Sequence, residues 1–172
     1  LIGPGLVGGA LLDQVASQVG RLRRDFKIDL RVRGIAGSRA MRLVQGTVDL
    51  ERWREEYAAG DGPVDLERFA DHVHADQFPH AVIIDCSASA AVASRYAHWL
   101  SQGIHIVTPN KKANSAAWGD YERVREARRA AGSQRTDRKA HDPRRHRLHR
   151  SPRTRRAAGG RRRCTGAGTR AA

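Results

Sequence analysis

Apolar residues along the first 130 positions switch between two periods. Leu11, Leu12, Val15, Val19 and Leu22 recur at helical spacing and predict an amphipathic helix over residues 9–23. IDLRVRGIA then alternates and is rich in β-branched residues. It predicts a strand at about 29–35, with Gly34, Gly37 and Ser38 marking the turn after it. Residues 40–62 are less regular. VDLERWREEYAAGDGP sets Leu50, Trp53 and Tyr57 on a short helix closed by Gly60 and Gly62. VDLERFADHVHADQ sets Leu66, Phe69, Ala70 and Val73 on one face of another, with Asp65 as its cap.

The second half repeats the alternation of elements. HAVIIDCSAS holds a continuous apolar run, Ala81–Ile84, that ends in a small polar turn. Such a run suits a strand covered on both faces in a parallel sheet. AAVASRYAHWLSQG is the helix that follows, ended by Gly103. IHIVTPNKKAN is a second buried strand, 104–107, running into a loop, and SAAWGDYERVREARRAA is a further helix. Strands alternating with helices imply right-handed crossovers and a parallel sheet, so the fold class is α/β. No internal repeat is visible.

Charge changes the picture at the C-terminal end. From Arg135 to Ala172 there are thirteen arginines and one lysine against two aspartates, and this stretch carries nearly all of the net +14. Every Trp, Phe and Tyr lies before it, and its only large aliphatic residue is Leu148. It cannot bury enough apolar surface to offset its chain entropy. Residues 1–133 are therefore expected to fold, and 134–172 to form a disordered, Arg-rich tail. Cys86 lies in an apolar run and Cys164 in the tail. Neither they nor the eight scattered histidines have metal-ligand spacing, so no metal site is expected. Two unpaired cysteines fit a reducing cytosol. With no apolar run of ~18 residues and no secretory pattern, a cytoplasmic protein with no membrane contact is expected.

The candidate chemistry starts at the first residues, LIGPGLVGGALLDQ. Gly3, Gly5 and Gly8 form G-x-G-x-x-G directly before the first helix. A full strand is expected ahead of such a loop, and here only Leu1 and Ile2 precede it. Opening an alternating α/β chain, this is the context of a dinucleotide-binding fingerprint and of a Rossmann-type, doubly wound parallel sheet. Gly3 permits the tight turn, Gly5 lets the backbone approach a pyrophosphate, and Gly8 lets helix and strand pack closely. The anion then rests on the helix N-terminus. Pro4 is tolerable because its position need not donate. Asp29 lies 21 residues past Gly8 but starts the second strand, at the end of the sheet away from a cofactor, and reads as a solvated strand entry. At the proper end stand Ala36, Gly37, Ser38 and Arg39. No carboxylate is there to repel a 2′-phosphate, and Ser38 and Arg39 are suited to bind one. NADP, or dual use, is favoured over strict NAD.

Two further loops follow strand ends, where ligands of open α/β sheets bind. The small side chains of DCSAS would let a nicotinamide ribose come close; an ordinary capped turn is the plain alternative. VTPNKKAN brings two adjacent lysines, of which at most one can face a site. A lysine there is a better functional candidate than most surface lysines.

Together, GPGLVGGALLDQ, IDLRVRGIAGSRAM, VIIDCSASAAVASRYAHWL and GIHIVTPNKKANS resemble the homoserine dehydrogenases. More narrowly, they resemble the dehydrogenase half of the bifunctional aspartokinase–homoserine dehydrogenases, over roughly residues 1–130. The resemblance implies NAD(P)-dependent interconversion of homoserine and aspartate 4-semialdehyde, a step toward threonine and methionine. It carries Gly3, Gly5, Leu6, Val7 and Gly8 over as the pyrophosphate loop and sets Ala36, Ser38 and Arg39 beside the adenosine ribose. It brings Ser87, Ala88 and Ser89 to the nicotinamide side. It places Lys111, the first lysine of NKK, between cofactor and substrate as the catalytic cation. Pro4 is a small departure at a position that varies in the family.

The large departure begins near Ser133. There the family continues into a strand and a substrate-binding, oligomerising domain with a further catalytic lysine and the acidic groups that hold the amino acid. RTDRKAHDPRRHRLHRSPRTRRAAGGRRRCTGAGTRAA instead reads as a shifted frame of GC-rich DNA. The sequence is expected to be a fragment at both ends, with an aspartokinase domain upstream and no activity of its own. The competing function is nucleic-acid binding through the tail. Thirteen arginines would bind phosphates, but the tail has no aromatics for stacking and no recognisable module.

Overall fold

The computed structural model describes residues 1–75, 78–115 and 117–140. Strand β1 (Gly34–Ala36) pairs antiparallel with β2 (Met41–Leu43), Gly34 lying opposite Leu43. Strand β3 (Val82–Ile84) pairs parallel with β4 (His105–Val107), Val82 opposite His105. Ile2 joins the two small sheets through parallel bridges to Ala36 on one side and Asp85 on the other.

Four backbone bonds make that joint. Ile2 N–H donates to the Ile84 carbonyl (2.8 Å), and Cys86 N–H to that of Ile2 (2.8 Å). On the other side Ala36 N–H donates to Leu1 (2.9 Å) and Gly3 N–H to Ala36 (2.7 Å). Two residues thus fill the central strand position, giving the order β2, β1, Ile2, β3, β4. Because β1, Ile2, β3 and β4 run the same way, their carboxyl ends share one edge of the sheet.

Helix α1 (Leu6–Asp25) starts three residues earlier than expected and buries Gly8, Gly9 and Leu12. Phe26 N–H closes it on the Leu22 carbonyl, and Ile28 N–H folds back to the same oxygen (3.1 Å) through Lys27, whose φ is 57°. Helix α2 (Trp53–Ala58) is the short helix expected there. Helix α3 (Leu66–Val73) is capped as its sequence predicts, the Asp65 carboxylate accepting from Glu67 and Arg68 N–H, both at 3.0 Å.

Packing separates into two clusters, because neighbouring residues of a strand point to opposite faces. Ile35 packs with Leu12 from α1, Trp53 from α2 and Val48 from the segment between β2 and α2. Ile2, Ala36 and Ile83 pack with Phe69 from α3 and with Tyr96 and Trp99. A Cβ on Gly34 would reach 2.8 Å from the Phe69 ring, so the absent side chain is what lets Phe69 lie on β1.

Several expectations need correction. The strand expected at 29–35 is ordered as a ladder only over β1. Residues 29–33 run past Leu1 and have no strand on that side, and Ile28 and Leu30 stay exposed. Strand β2 was not anticipated; a three-residue strand that pairs through a Gly37–Ala40 turn leaves no readable period, and it places an antiparallel neighbour beside the parallel strands. The helix expected over 90–103 is two, α4 (Ala90–Ala93) and α5 (Tyr96–Ser101). Ser94 Oγ donates to the Ala91 carbonyl at 2.9 Å at that break, competing with the helical ladder. Neither β3 nor β4 is covered on both faces along its length: Val82 is 44% exposed and Val107 56%.

Helix α6 (Trp118–Ala140) passes through the expected boundary at 133. The rest of the expected tail, 141–172, lies outside the described residues, as does Cys164. Among the described residues no helix is long and apolar enough to cross a membrane.

Candidate cofactor site

Four loops leave the shared carboxyl edge: Gly3–Gly8 after Ile2, Gly37–Ala40 after β1, Cys86–Ser89 after β3 and Thr108–Lys112 after β4. The glycines of the first loop each meet a different constraint. Gly3 has φ +82°, and a Cβ on it would stand 2.7 Å from the Ser87 nitrogen. A Cβ on Gly8 would overlap the Gly3 carbonyl oxygen and press on the Leu1 side chain. A Cβ on Gly5 would meet nothing within 4 Å. Gly5 is thus open to a ligand, while Gly3 and Gly8 are closed by the protein itself. Gly5 caps α1 without a side-chain bond, and the first turn holds no acidic residue. Leu6 and Val7 on that turn stay exposed, Leu6 at 93%. An uncapped 20-residue helix with a positive dipole end and no carboxylate is suited to an anion.

Ala36 is buried, and its backbone holds Leu1 and Gly3 in register. Ser38 and Arg39 sit exposed on the turn between β1 and β2. The Tyr57 hydroxyl occupies the space a Cβ on Gly37 would take, so α2 supports this turn from beneath. Asp29 stands five residues before β1 and pairs with Arg31 (2.7 Å), whose guanidinium holds its carboxyl below the usual range. The structure therefore keeps Asp29 away from the loop, as its position at the strand entry implied.

The loops after β3 and β4 meet at a residue the sequence reading did not single out. Asp85 is fully buried. Its carboxylate accepts from Ser87 N–H (2.7 Å), from the Asn110 side-chain amide (3.0 Å) and from the Tyr96 hydroxyl. Burial, and then the hydrogen bond to Asp85, push the Tyr96 hydroxyl well above its ordinary value, so it remains a donor. Thr108 Oγ1 donates to the Asp85 carbonyl (2.8 Å) and accepts from Asn110 N–H (2.8 Å). Ser87 Oγ accepts from Ser89 N–H at 3.2 Å, and Ser89 Oγ caps α4 by accepting from Val92 N–H at 3.3 Å. Ala88 lies exposed between them. Cys86 is raised by burial and by Asp85, which keeps it a neutral thiol rather than a nucleophile. An aspartate closing an apolar run was the only sequence signal for this network.

Lys111 is exposed, and its carbonyl accepts from both Asn114 and Ser115 N–H at 3.0 Å. Its neighbour Lys112 lines a hollow of about 280 Å³ with Ala93, Ala97 and Val124, between the helices α4, α5 and α6. Lys111 does not line that hollow, so the two lysines diverge. The open Gly5, the anion-ready helix end and a β1 turn free of carboxylates fit a phosphorylated dinucleotide.

Residues 3–135 match the family described as homoserine dehydrogenase, NAD binding domain. Bifunctional aspartokinase/homoserine dehydrogenase 2, chloroplastic, of Arabidopsis thaliana is 47% identical over 130 residues, 75% of this chain and 14% of that protein. The bifunctional aspartokinase/homoserine dehydrogenase of Haemophilus influenzae is 34% identical over 76% of this chain and 16% of its own length. The homoserine dehydrogenase of Schizosaccharomyces pombe is 27% identical over 77% of this chain and 36% of its own. The chain thus spans only a minor part of the curated relatives it matches. A crystal structure of a Candida auris protein of unknown function shares the fold, with a TM-score of 0.55, 19% identity, and coverage of 67% of this chain and 32% of that one. The chain belongs to the homoserine dehydrogenase family, of which it carries the NAD(P)-binding domain.

Proposed function

We propose that this chain supplies the cofactor half of a homoserine dehydrogenase. The reaction is interconversion of homoserine and aspartate 4-semialdehyde with NADP(H), in the threonine and methionine branch of amino-acid biosynthesis. The observation that carries the reading is the convergence of four loops on one sheet edge, with Gly5 open and no carboxylate beyond β1. The helices of the two apolar clusters fit a doubly wound, Rossmann-type sheet, and ligands of such sheets bind at this edge.

In this reading the α1 N-terminus, with Gly3, Gly5, Leu6, Val7 and Gly8, receives the pyrophosphate. Ala36, Ser38 and Arg39 flank the adenosine ribose, Ser38 and Arg39 binding a 2′-phosphate. Ser87, Ala88 and Ser89 border the nicotinamide ribose. A nicotinamide held there would supply the acceptor for the hydride of the homoserine carbinol carbon, and the hydroxyl proton would pass to solvent. Lys111 holds the substrate oxygen and stabilises the charge that develops on it.

The Arabidopsis thaliana and Haemophilus influenzae relatives are named as bifunctional, and an aspartokinase domain upstream is the partner we propose. Homoserine and aspartate 4-semialdehyde are the small-molecule ligands, and the cytoplasm is the compartment. The plant relatives bear "chloroplastic" in their names. Most of the Arg-rich segment invoked for nucleic-acid binding, residues 141–172, lies outside the described residues, and no observation favours that function.

The test is to purify residues 1–172, titrate NADPH, and follow NADPH formation with saturating homoserine and NADP+. Hydride transfer needs reacting atoms held about 3–3.5 Å apart, positioning that supplies ~7–11 kcal/mol of the barrier. Lys111 alone, among the residues described, is offered to the substrate. Saturable NADPH binding without measurable turnover is expected. Robust turnover lost in Lys111→Ala would overturn the half-site reading, and absence of binding would overturn the cofactor reading.

A further inference from the structure

We propose that Asp85 and Asn110 are positioning residues that lock the loop bearing Ser87–Ser89 and the loop bearing Lys111 into one rigid nicotinamide-side wall. The proposal rests on the cofactor reading above and assigns roles to two residues that make no contact with the reacting atoms.

The geometry is reciprocal. The Asn110 amide nitrogen donates both to the Asp85 carboxylate and to the Ser89 carbonyl, each at 3.0 Å. Its amide oxygen accepts from Lys112 N–H, also at 3.0 Å. Its backbone N–H is held by Thr108, which in turn donates to the Asp85 carbonyl. One side chain therefore ties the residue after Lys111 to the end of the loop across from it. Asp85 completes the tie by accepting from Ser87 N–H at the start of that loop. Lys111 is pinned on both sides: Asn110 and Lys112 are bonded into the network, and its own carbonyl takes Asn114 and Ser115 N–H.

A simple core role does not account for this pattern. Asp85 is a fully buried carboxylate with no cation in an ion pair among the described residues, and such a group is retained only where its hydrogen bonds are all made. Two of its three donors, Ser87 N–H and the Asn110 amide, come from the two loops rather than from the core. Tyr96 supplies the third from α5 and anchors the network to the apolar cluster. Partly satisfied buried networks are costly, so loss of one loop contact should release the other loop as well.

The test compares two ligands. NADPH touches both halves of the proposed site, whereas adenosine 2′,5′-bisphosphate touches only the adenosine half. Asn110→Ala is expected to weaken NADPH by about tenfold, the order of one or two lost hydrogen bonds, and to leave the bisphosphate unchanged. Asn110→Asp keeps the acceptor for Lys112 but sets a second carboxylate against Asp85, and should show the same split. Tyr96→Phe removes the α5 hydrogen bonds to Asp85 and to Thr108 but leaves the direct tie between the two loops, and should lower thermal stability with little effect on either ligand. Amide hydrogen exchange at Ser87 and Lys112 should speed up in Asn110→Ala while the strand amides of Asp85 and His105 stay protected. Equal weakening of both ligands, uniform loss of protection, or unchanged NADPH affinity would overturn the inference alone. Binding of neither ligand by the unaltered chain would overturn the cofactor reading and the inference with it.

Discussion

A Cβ on Gly3 would lie 2.7 Å from the backbone nitrogen of Ser87 and 2.9 Å from the carbonyl carbon of Cys86. The first loop of the site thus rests directly on the third, and only glycine permits the contact at φ +82°. Gly3→Ala combines left-handed strain with a backbone clash. It is expected to cost about 2–4 kcal/mol and to abolish NADP(H) binding. Chemical denaturation with a cofactor titration checks both, and an alanine variant of unchanged stability would refute the packing described.

Arg39 stands exposed on the β1–β2 turn. Arg39→Asp replaces a phosphate partner with a like charge. NADP(H) affinity should fall by about tenfold or more while NAD(H) changes little, the order expected for one charge-assisted contact. Titration of both cofactors against both proteins measures it. An unchanged ratio of the two affinities would remove Arg39 from the site.

Lys27 holds a left-handed conformation, φ 57°, where α1 turns toward β1. Lys27→Gly removes that strain and the Lys27–Arg24 side-chain bond, which is exposed. The net expectation is a stabilisation of ~0.5–1 kcal/mol. Urea unfolding gives the difference; destabilisation would show that the turn gains more from lysine than the conformation costs.

For the polypeptide with a free amine at Leu1, stability should depend on pH. Burial pushes that amine down from 8.0 to about 5, with Cys86 a smaller opposing influence. The folded state thus binds fewer protons than the unfolded state between about 5 and 8. Stability rises with pH across that window and is lost as pH falls toward 5, by up to about 1.4 kcal/mol per unit. Denaturation at pH 5, 6.5 and 8 should show the slope. Acetylating Leu1, which leaves an amide N–H to donate to Gly34, should flatten it. A slope that survives acetylation would assign it to another group.

The sequence exposed what is local. Asp65 announced its helix because a cap and a four-residue apolar stripe lie within nine positions. The glycine loop was legible for the same reason: turn, approach and packing are all fixed within six residues. Strand β2 was hidden because three residues carry no period, and its partner is chosen by tertiary contact. Strand ends misled at 29–33, where the alternation continues but no neighbouring strand does. The Asp85 network was the largest omission. Its members lie 11 and 25 residues apart, and each is an ordinary residue by itself. Only the fold makes them one unit.

Gly5→Ala tests the central claim most directly. Gly5 lies at an ordinary φ of −75°, and a Cβ there meets nothing in the protein. The variant meets no steric clash and should lose only about 1 kcal/mol, the order of the N-cap preference for Gly over Ala, and remain folded. A pyrophosphate resting on the loop would meet that methyl group. Calorimetric titration of NADPH into both proteins should then give saturable binding to the parent and affinity at least about tenfold weaker in Gly5→Ala, the order of 1.4 kcal/mol. Equal affinity in the two folded proteins would contradict a cofactor bound at this loop.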